Sequence, residues 1–412
     1  MTKHALFITA GEWPARKGLL VSQVYETARA LQARGYRVSW FASIPLLSFV
    51  KRKILRDRDL AEIEASCRAE GIAFARAIVP VTLGSPYSMP WRRWWHRRLA
   101  RRACSLLNEV QATSSGTILH ARSYYAAEIG LLLRDIASAS VDGTVIASFD
   151  MRSFLGPEAP MAHGTLGTAA YGFLKSLEFE LIRGSDASFL PLNVGRRQYR
   201  EETGLHIHFA PIQGMEREAG WSVDFNHRWA SARIGYSGSV GQWHDPDLLR
   251  SIFGLFPNLT PKLAARKIGA FADLDCTLYK PADLGCYYDG LLALVIPGLA
   301  EIDGYYHTLQ MRCNLFSTKA AEALSRGVPL IVSSELQELA DFVRLHRCGL
   351  VVDVNQGTPT LPAGLDIDDP NLWRQLTDGA IAIGARFTRQ AVLDVYETAW
   401  NQALERRSRL GQ

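Results

Sequence analysis

Lys319 and Glu322 stand three residues apart in the segment STKAAEALSRGVPLIVS, residues 317–333, which has the pattern of a helix that leads into a buried strand. On a helix, this spacing places both side chains on one face near the N-terminal end. The open backbone N–H groups around Thr318 favour an anion, and Lys319 adds a positive charge. Such a set suits a nucleotide, with its diphosphate at the helix start and its ribose on Glu322. A surface Lys–Glu pair of small energy is the alternative that the residues alone leave open.

The same segment carries signals that begin and end a helix. Ser317 is a predicted N-cap, whose hydroxyl accepts a hydrogen bond from an otherwise unpaired amide. Gly327 is predicted to end the helix in the left-handed conformation, and Pro329 prevents the helix from continuing. The apolar run at 330–332 is then a buried strand.

Glycine-containing loops follow the first predicted strand of each half of the chain. The loop GEWPARKGLL (11–20) contains Gly18 ahead of a predicted helix, whose N-terminus favours an anion. It lacks the G-x-G-x-x-G spacing of dinucleotide-binding loops. In GYSGSVG (235–241), backbone amides near Gly238 and the hydroxyl of Ser239 could bind a phosphate. Ordinary turn glycines are the alternative for both loops.

Two further strand ends, in ILHARS and SFDMRS, change from apolar to polar residues. The first carries His120 and Arg122, and the second carries Asp150 and Arg152. Imidazole, guanidinium and carboxylate groups at strand ends are candidates for catalysis or for binding an acceptor. A salt bridge between Asp150 and one of the arginines, holding neighbouring strands together, is an equally good interpretation.

Strand and helix patterns alternate along the 412-residue chain. The composition, with 48% hydrophobic and 21% charged residues, is that of a folded globular protein, and the length favours two domains. We predict two Rossmann-like, doubly wound parallel α/β sheets, in domains at residues 1–210 and 211–385, followed by a helix in 386–412. Loops after the strands are expected to line a cleft between the domains. The predicted strands are residues 4–10, 36–43, 117–121, 144–150, 187–192, 232–238, 266–271, 291–297, 329–333 and 349–353.

A strongly basic stretch, WRRWWHRRLARRA, begins at residue 91. On a helix, its tryptophans and Leu99 form an apolar stripe that arginines flank, which is typical of a helix that lies on an anionic membrane surface. Inward packing of the tryptophans is one alternative. Nucleic-acid binding is another, but nothing else in the chain resembles a groove reader or a stacking platform, so we expect no nucleic-acid partner. The residues predicted to contact the membrane are Trp91, Trp94, Trp95, Arg93, Arg97 and Arg101.

The six cysteines form no C-x-x-C pair and have no nearby histidine, which argues against a zinc site or a disulfide framework. We therefore expect no metal and a reducing compartment, the cytoplasm. No stretch reads as a secretory signal or as a membrane-spanning helix. Any membrane contact is then peripheral, on the inner face of the cytoplasmic membrane.

The segment 317–333 resembles the glycosyltransferases of family 4, which have the GT-B fold, because those enzymes carry a Glu in a helix before a G-x-P turn and a strand. The resemblance covers nearly the whole chain. It implies that Glu322 binds the ribose of a sugar nucleotide, that Gly238 and Ser239 face the diphosphate, and that Gly18 borders the donor sugar. It also implies that the final helix crosses back to the first domain.

The sequences H-A-R-S and D-M-R-S are similar to motifs of one subgroup of that family. The resemblance places His120, Arg122, Asp150 and Arg152 toward the acceptor. The chain departs from the family at Asn314, where the family usually has a Glu that contacts the donor sugar. An Arg and a Lys that usually neutralise the diphosphate are also missing after the second glycine loop, and we expect Lys319 to take over part of that task.

The resemblance implies a metal-independent transfer, with retention, of a sugar from a nucleoside-diphosphate sugar to a glycan acceptor. A basic helix on the inner leaflet favours a lipid-linked acceptor, as in bacterial cell-surface polysaccharide biosynthesis. The donor is a substrate, so no cofactor is expected. The alternatives are a sugar-nucleotide epimerase, a phosphorylase-like enzyme and a polysaccharide-assembly scaffold without catalysis. The acids of DLD (273–275) resemble the metal-binding pair of GT-A enzymes, but exposed acids near a strand end explain them better.

Overall fold

In a computed structural model of the protein, the described residues are 2–14, 21–46, 53–79, 92–108, 114–138, 143–152, 171–191, 193–238, 246–265, 275–278, 284–298 and 316–410. The chain forms two compact units. The first unit comprises Met1–Pro191, Arg196–Ala210 and Leu393–Gln412, and the second comprises Leu192–Gly195 and Pro211–Val392.

The first unit is built on a parallel sheet of seven strands in the order β3-β2-β1-β4-β5-β6-β7. Its central strands are buried on both faces, which explains their nearly continuous apolar sequences. The strands are β1 (Thr2–Ala10), β2 (Arg37–Pro45), β3 (Ala73–Val79), β4 (Ser114–Arg122), β5 (Val145–Asp150), β6 (Ala187–Leu190) and β7 (His208–Phe209). All five strands predicted for this part are confirmed.

The second unit has a sheet of seven strands in the order β10-β9-β8-β11-β12-β13-β14, parallel except for the last. The strands are β8 (Arg233–Ser237), β9 (Thr260–Ala265), β10 (Asp275–Leu278), β11 (Ala293–Ile296), β12 (Leu330–Ser333), β13 (Gly349–Asn355) and β14 (Thr358–Thr360). Four of the five predicted strands are confirmed, and the fifth, at 266–271, lies outside the described residues. In DLD, only Asp275 is described, as the first residue of β10.

The Gly, Pro and Thr content of residues 354–364 predicts a loop, but the structure forms a hairpin there between β13 and β14. Asn355 pairs with Thr358, so the turn consists of Gln356 and Gly357. Both turn residues have positive φ, 50° and 78°, which is the signature of a type I′ turn. The loop prediction was wrong here because glycine content alone does not distinguish a hairpin turn from an irregular loop.

Fourteen helices are assigned in the described residues, alongside short π-helical (Val21–Tyr25) and 3₁₀ (Ala385–Phe387) turns. They are α1 (Glu26–Ala33), α2 (Lys53–Ala69), α3 (Arg92–Ala103), α4 (Ser105–Asn108), α5 (Tyr124–Ala137), α6 (171–184), α7 (Asn193–Thr203), α8 (Phe225–Ser231), α9 (Pro246–Gly254), α10 (Leu284–Asp289), α11 (Thr318–Ser325), α12 (Gln337–His346), α13 (Pro370–Gly384) and α14 (Arg389–Leu410). None of the helices in the described residues is long and apolar enough to cross a membrane.

Each sheet has a point at which the strand order reverses. In the first sheet, β1 and β4 are neighbours, and in the second, β8 and β11 are neighbours. Ligands of doubly wound sheets bind outside the carboxyl ends of the strands at such a point, because the loops there diverge to opposite faces. The residues that follow these four strands are therefore the first candidates for a binding site.

Helix α14 packs on the first unit although it follows the second unit in sequence. Its side chains contact residues of β1, β5 and the helix α1 region, and two of its arginines contact Asp186. The side-chain pairs are Lys3–Asn401, Arg34–Glu397, Asp150–Tyr396, Ser148–Trp400 and Asp186–Arg407. From Leu393 onward, the helix therefore belongs to the first unit.

Candidate functional site

Helix α11, which carries Lys319 and Glu322, begins and ends as its sequence predicts. The Oγ of Ser317 accepts a hydrogen bond from the amide of Ala320 at 3.2 Å, with Ser317 in an extended conformation. Gly327 has φ of 63°, and a Cβ atom there would lie 2.7 Å from Ile381, so a side chain is excluded both by conformation and by space. The predicted N-cap and helix stop are confirmed.

The start of α11 and the glycine loop come together at the point where the second sheet reverses. Gly238 follows β8 with φ of 116°, and a Cβ atom at this position would overlap Cε of Lys319. Because only a glycine leaves that space free, Lys319 can lie directly against the backbone of the loop. The amide of Gly238 donates to Ala264 O at 2.9 Å, so this amide is engaged within the sheet. Gly18, Ser239 and Asn314 lie outside the described residues.

Lys319 lies in a poorly solvated position. Its Nζ is 3.1 Å from the hydroxyl of Tyr236 and 4.7 Å from the centre of the Tyr236 ring, so the ammonium group faces an aromatic surface. Burial lowers the pKa of Lys319 to about 7, although the nearby charge of Glu322 acts in the opposite direction. A bound anion would favour the protonated form of Lys319 and so raise its pKa again.

Glu322 is the acidic counterpart of Lys319. Its Oε2 accepts a hydrogen bond of 2.9 Å from the hydroxyl of Tyr288, which in turn lies 2.9 Å from Oγ of Ser237. Burial raises the pKa of Glu322 to about 7, although the Tyr288 hydrogen bond and the charge of Lys319 oppose this shift. A basic and an acidic side chain, both partly buried, therefore lie one helical turn apart at the start of a helix.

A buried arginine fixes the helices that present these groups. Arg228 is 1% exposed, and its guanidinium donates to Gly327 O at 2.6 Å, Arg326 O at 2.8 Å and Asp289 O at 3.1 Å. It thereby caps the carbonyl ends of both α10 and α11. The sequence gives no sign of this role, because the donor and its acceptors are about 60 to 100 residues apart.

In the first unit, Asp150 is 2% exposed and pairs with Arg152 at 2.5 Å. The hydroxyl of Tyr396 also donates to Asp150, at 3.1 Å. Burial acts to raise the pKa of Asp150, but the charge of Arg152 and the contact with His120 outweigh it and hold the value at about 2. The salt bridge that the sequence offered as one interpretation is therefore formed.

His120 is also 2% exposed, and its ring lies among four aromatic side chains. The surrounding rings are those of Phe7, Phe189, Tyr396 and Trp400. Its Nδ1 lies 3.1 Å from Ser148 Oγ and its Nε2 lies 3.7 Å from Asp150, a grouping of serine, histidine and aspartate. The indole of Trp400 donates to the same Ser148 Oγ, at 2.9 Å, so α14 covers this group.

Arg122 lies at the reversal point of the first sheet. Its guanidinium donates to Gln23 Oε1 at 2.8 Å and contacts the carboxylate of Glu12. Glu12 is missing from the sequence prediction, although it directly follows β1 and Gly11, which has φ of 82°. The structure brings the buried Arg122 and the partly exposed Glu12 together as one pair, which is separate from the Asp150–Arg152 pair.

The basic helix α3 packs on α5 through His96, Leu99, Ala100 and Ala103. The described arginines predicted to meet a membrane, Arg93, Arg97 and Arg101, are exposed. Trp94 is 56% exposed and Trp95 is half-buried, while Trp91 lies outside the described residues. The exposed face of α3 therefore has less apolar surface than the predicted stripe of tryptophans and Leu99, because Leu99 is buried on the opposite face.

Glu128 of α5 holds α3 through contacts with two of its side chains. Its carboxylate accepts a hydrogen bond of 2.8 Å from Arg92 and lies 2.6 Å from Nδ1 of His96. Burial acts to raise the pKa of Glu128, but the bonds from His96 and Arg92 outweigh it and set the value at about 2.

Replacing Glu128 by glutamine is expected to reduce the free energy of unfolding by about 3 kcal/mol, because it leaves a mostly buried arginine without its counter-charge. The stabilisation should be complete above pH 4.5 and disappear as the pH falls toward 2, because the pKa of Glu128 in the folded state is lowered. Urea unfolding at pH 7 and pH 3 measures both. Glu70→Gln, at an exposed ion pair with Arg29, should cost less than about 1 kcal/mol. Equal losses in the two variants at pH 7 would contradict this view of Glu128.

In the part of the chain that is described, no group of three or more His, Cys, Asp or Glu side chains could hold a metal ion.

No protein-family model and no curated protein sequence matches the chain. Solved structures match it along almost its entire length. Sucrose-phosphate synthase from Thermosynechococcus elongatus is 15% identical, with a TM-score of 0.60, covering 98% of this chain and 99% of that one.

Two further structures are similar. The α,α-trehalose 6-phosphate synthase from Burkholderia multivorans is 11% identical, with a TM-score of 0.56 over 100% of this chain and 98% of that one. HepE from Anabaena, solved with UDP and glucose, is 12% identical, with a TM-score of 0.55 over 98% and 99%. These likenesses show the GT-B fold, so the predicted fold class is confirmed.

Proposed function

We propose that the protein is a glycosyltransferase that moves a sugar from a nucleoside-diphosphate sugar to a glycan acceptor without a metal ion. One observation carries the proposal: Lys319 and Glu322 converge with Gly238 at the reversal point of the second sheet. The position and the charges fit a nucleoside diphosphate, and the GT-B fold of the chain is shared with synthases that transfer sugars. HepE, whose structure contains UDP and glucose, supports a sugar nucleotide as the donor.

In the proposed mechanism, an acceptor hydroxyl oxygen bonds to the anomeric carbon as the bond between that carbon and the diphosphate oxygen breaks. Negative charge develops on the departing diphosphate, which takes the proton of the acceptor hydroxyl. Lys319 and the N-terminal amides of α11 stabilise that charge, more strongly in the transition state than in the ground state. Glu322 accepts hydrogen bonds from the ribose hydroxyls and holds the nucleotide in register. The transfer retains the anomeric configuration, as in most family 4 members, and Asn314 and Gly18 contact the donor sugar.

The acceptor is bound by the first unit. Arg122 and Arg152 are the groups at strand ends that would reach it, and their positions are set by Glu12 and Asp150. His120 and Asp150 act through Arg152 and through the packing of α14, because both are almost fully buried. A guanidinium that is already paired suits a neutral hydroxyl acceptor better than a second phosphate, since its charge is largely compensated.

Helix α3 holds the enzyme on the inner face of the cytoplasmic membrane, where a lipid-linked glycan would serve as acceptor in bacterial cell-surface polysaccharide biosynthesis. Support comes from the exposed ring of Trp94 and the exposed guanidinium groups on α3. Each arginine near an anionic surface contributes about 1 kcal/mol. Exposure of several arginines on a single short helix is therefore enough for reversible binding.

Vesicles with phosphatidylglycerol are expected to sediment the protein at low salt, while neutral phosphatidylcholine vesicles are not. Changing Arg93, Arg97 and Arg101 to serine should weaken this binding by about 100-fold, because three attractive contacts are removed. Co-sedimentation at several lipid concentrations gives the partition coefficient.

The matched control removes the same charge from other exposed positions of the first unit, by changing Arg37, Arg58 and Arg409 to serine. This control variant should bind vesicles nearly as well as the wild type. If both variants lose binding equally, the effect is one of net charge alone and α3 is not the membrane contact.

Nucleotide binding is expected to have a bell-shaped pH dependence with its maximum near pH 7. A bound diphosphate raises the lowered pKa of Lys319, so affinity falls as the pH rises above 7. A bound ribose lowers the raised pKa of Glu322, so affinity also falls as the pH drops below 7. We expect a loss of about tenfold within 1.5 pH units on either side. Calorimetry from pH 5.5 to 8.5 measures it, Glu322→Gln should remove the acid limb, and a flat wild-type profile would contradict the assignment.

The proposed function is tested by incubation with radiolabelled UDP-, GDP-, ADP- and dTDP-sugars and membrane lipid extract. We expect label from one donor to enter the lipid fraction, with release of the nucleotide. Conversion of the labelled sugar without transfer would indicate an epimerase, and a labelled sugar phosphate would indicate a phosphorylase-like enzyme. Absence of any product or of nucleotide binding would leave only a scaffold without catalysis and would refute the proposal.

A further inference from the structure

Tyr288 joins the glycine loop to the acidic residue of the site. Its side chain is fully buried, and its hydroxyl is 2.9 Å from both Ser237 Oγ and Glu322 Oε2. An ionised carboxylate can only accept hydrogen bonds, so the single phenolic proton of Tyr288 must point to Glu322. Tyr288 then accepts from Ser237, and the three groups form one directed chain, Ser237 to Tyr288 to Glu322, which we call the hydroxyl chain.

The protein holds Tyr288 in place from several sides. The hydroxyl of the neighbouring Tyr287 lies 2.9 Å from both Tyr236 O and Lys262 O, and its proton is available to these two carbonyls, which ties α10 to β8 and β9. Asp289, on the other side, forms an ion pair with Arg326, directly after α11. Helix α10 is therefore fixed to both the sheet and the helix that carries Glu322, and Tyr288 has little freedom to move.

We propose that Tyr288 is a positioning residue: the hydroxyl chain fixes the carboxylate of Glu322 in one orientation and so makes the site selective for a nucleotide with a ribose. This inference rests on the proposed function. A carboxylate that one rigid donor holds presents its remaining lone pairs in fixed directions, and neighbouring ribose hydroxyls match such directions. Without Tyr288, the carboxylate must be oriented when the nucleotide binds, which reduces affinity.

The chain also links the ribose side of the site to its phosphate side. Ser237 is the last residue of β8 and immediately precedes Gly238, against which Lys319 lies. Groups that face Glu322 are Lys319 and Tyr288, and those that face Tyr288 are Ser237, Tyr287 and Glu322. Because the Tyr288 bond favours the ionised form of Glu322, its loss should also shift the acid limb of nucleotide binding to higher pH.

The test uses calorimetric titration of the full chain with UDP, GDP and ADP and with their 2′,3′-dideoxy analogues. For the ribonucleotide that binds the wild type, Tyr288→Phe should raise the dissociation constant about tenfold, and the acid limb should move up in pH. The dideoxy analogue should bind both proteins equally, because it has no hydroxyl for Glu322. Ser237→Ala should have a smaller effect of the same kind.

Tyr287→Phe is the matched control, since it removes a buried hydroxyl from the same helix without touching Glu322. It should lower the melting temperature about as much as Tyr288→Phe but preserve the preference for the ribonucleotide. Equal weakening of ribonucleotide and dideoxy analogue by Tyr288→Phe, or no weakening, would overturn the inference alone. A wild-type chain that binds neither these three nucleotides nor dTDP would overturn the proposed function and this inference with it. Binding of dTDP alone would overturn only the inference, because its sugar is a deoxyribose.

Discussion

Replacing Glu322 by glutamine is expected to raise the dissociation constant of a ribonucleoside diphosphate by about 100-fold. A hydrogen bond to a charged acceptor contributes roughly 1.5 to 3 kcal/mol, and two ribose hydroxyls would lose such an acceptor. The amide has nearly the same shape as the carboxylate, so the loss reports charge and hydrogen bonding rather than packing. Isothermal titration at pH 7.5 measures the constant directly.

The stability of the same variant separates this effect from unfolding. Because the pKa of Glu322 is raised in the folded protein, its ionised form opposes folding at pH 8, above that pKa. Glutamine carries no charge to bury, so the melting temperature at pH 8 should stay the same or rise while binding collapses. A 2′,3′-dideoxy analogue should bind wild type and variant equally. If Glu322→Gln weakened binding of the dideoxy analogue as much as binding of the ribonucleotide, Glu322 would not contact the ribose.

Replacing Lys319 by methionine is expected to raise the dissociation constant at least tenfold and to lower kcat further. Methionine keeps much of the chain length and can lie over Gly238, but it brings no charge to the diphosphate. The effect on kcat follows from the charge that grows on the leaving diphosphate, which Lys319 would stabilise most in the transition state. Initial rates with the donor found by screening, and titration with its nucleoside diphosphate, measure the two quantities.

Substitutions of Lys319 and of Glu322 should differ in their effects on binding of the ribonucleotide and of its dideoxy analogue. Lys319→Met should raise the dissociation constants of the ribonucleotide and of its dideoxy analogue by the same factor, since both ligands contain the diphosphate. Lys262→Met provides a control for net charge, because Lys262 belongs to the same unit and lies beside Tyr287 instead of the glycine loop. Equal effects from the two lysines would indicate general electrostatic attraction and would remove the specific role of Lys319.

The features that were correctly predicted from the sequence depend on neighbouring residues. The bounds of α11 follow from Ser317 and Gly327, whose effects act within one helical turn. The buried strands β1, β5 and β12 follow from short apolar runs. Strands with mixed burial were missed, among them β3, because an edge strand lacks a continuous apolar run.

The family resemblance implied that Gly238, Lys319 and Glu322 serve one nucleotide, but the contacts between side chains within the site could not be predicted, because they depend on the order of the strands. Lys319 lies against Gly238 only because β8 and β11 are neighbours, and no local signal reveals that order. Tyr288 was missed for the same reason, since its partners Ser237 and Glu322 are 51 and 34 residues away. Contacts of this kind form between residues that are far apart in the sequence, so local sequence patterns do not reveal them.

The environment of His120 was beyond prediction for a related reason. Its place at the end of β4 suggested an accessible functional group, but Tyr396 and Trp400, nearly 300 residues later, cover it. The orientation of α3 was likewise decided by α5, whose surface accepts Leu99 and His96 rather than the tryptophan stripe. Periodicity identifies the faces of a helix, but tertiary packing selects the face that is buried.

A crystal structure with a bound nucleoside diphosphate tests the central claim most directly. We predict density for the diphosphate within hydrogen-bonding distance of Lys319 and the first amides of α11, and for both ribose hydroxyls on Glu322. Density for the nucleotide at any other place in the second unit, or a ribose that makes no contact with Glu322, would contradict the account.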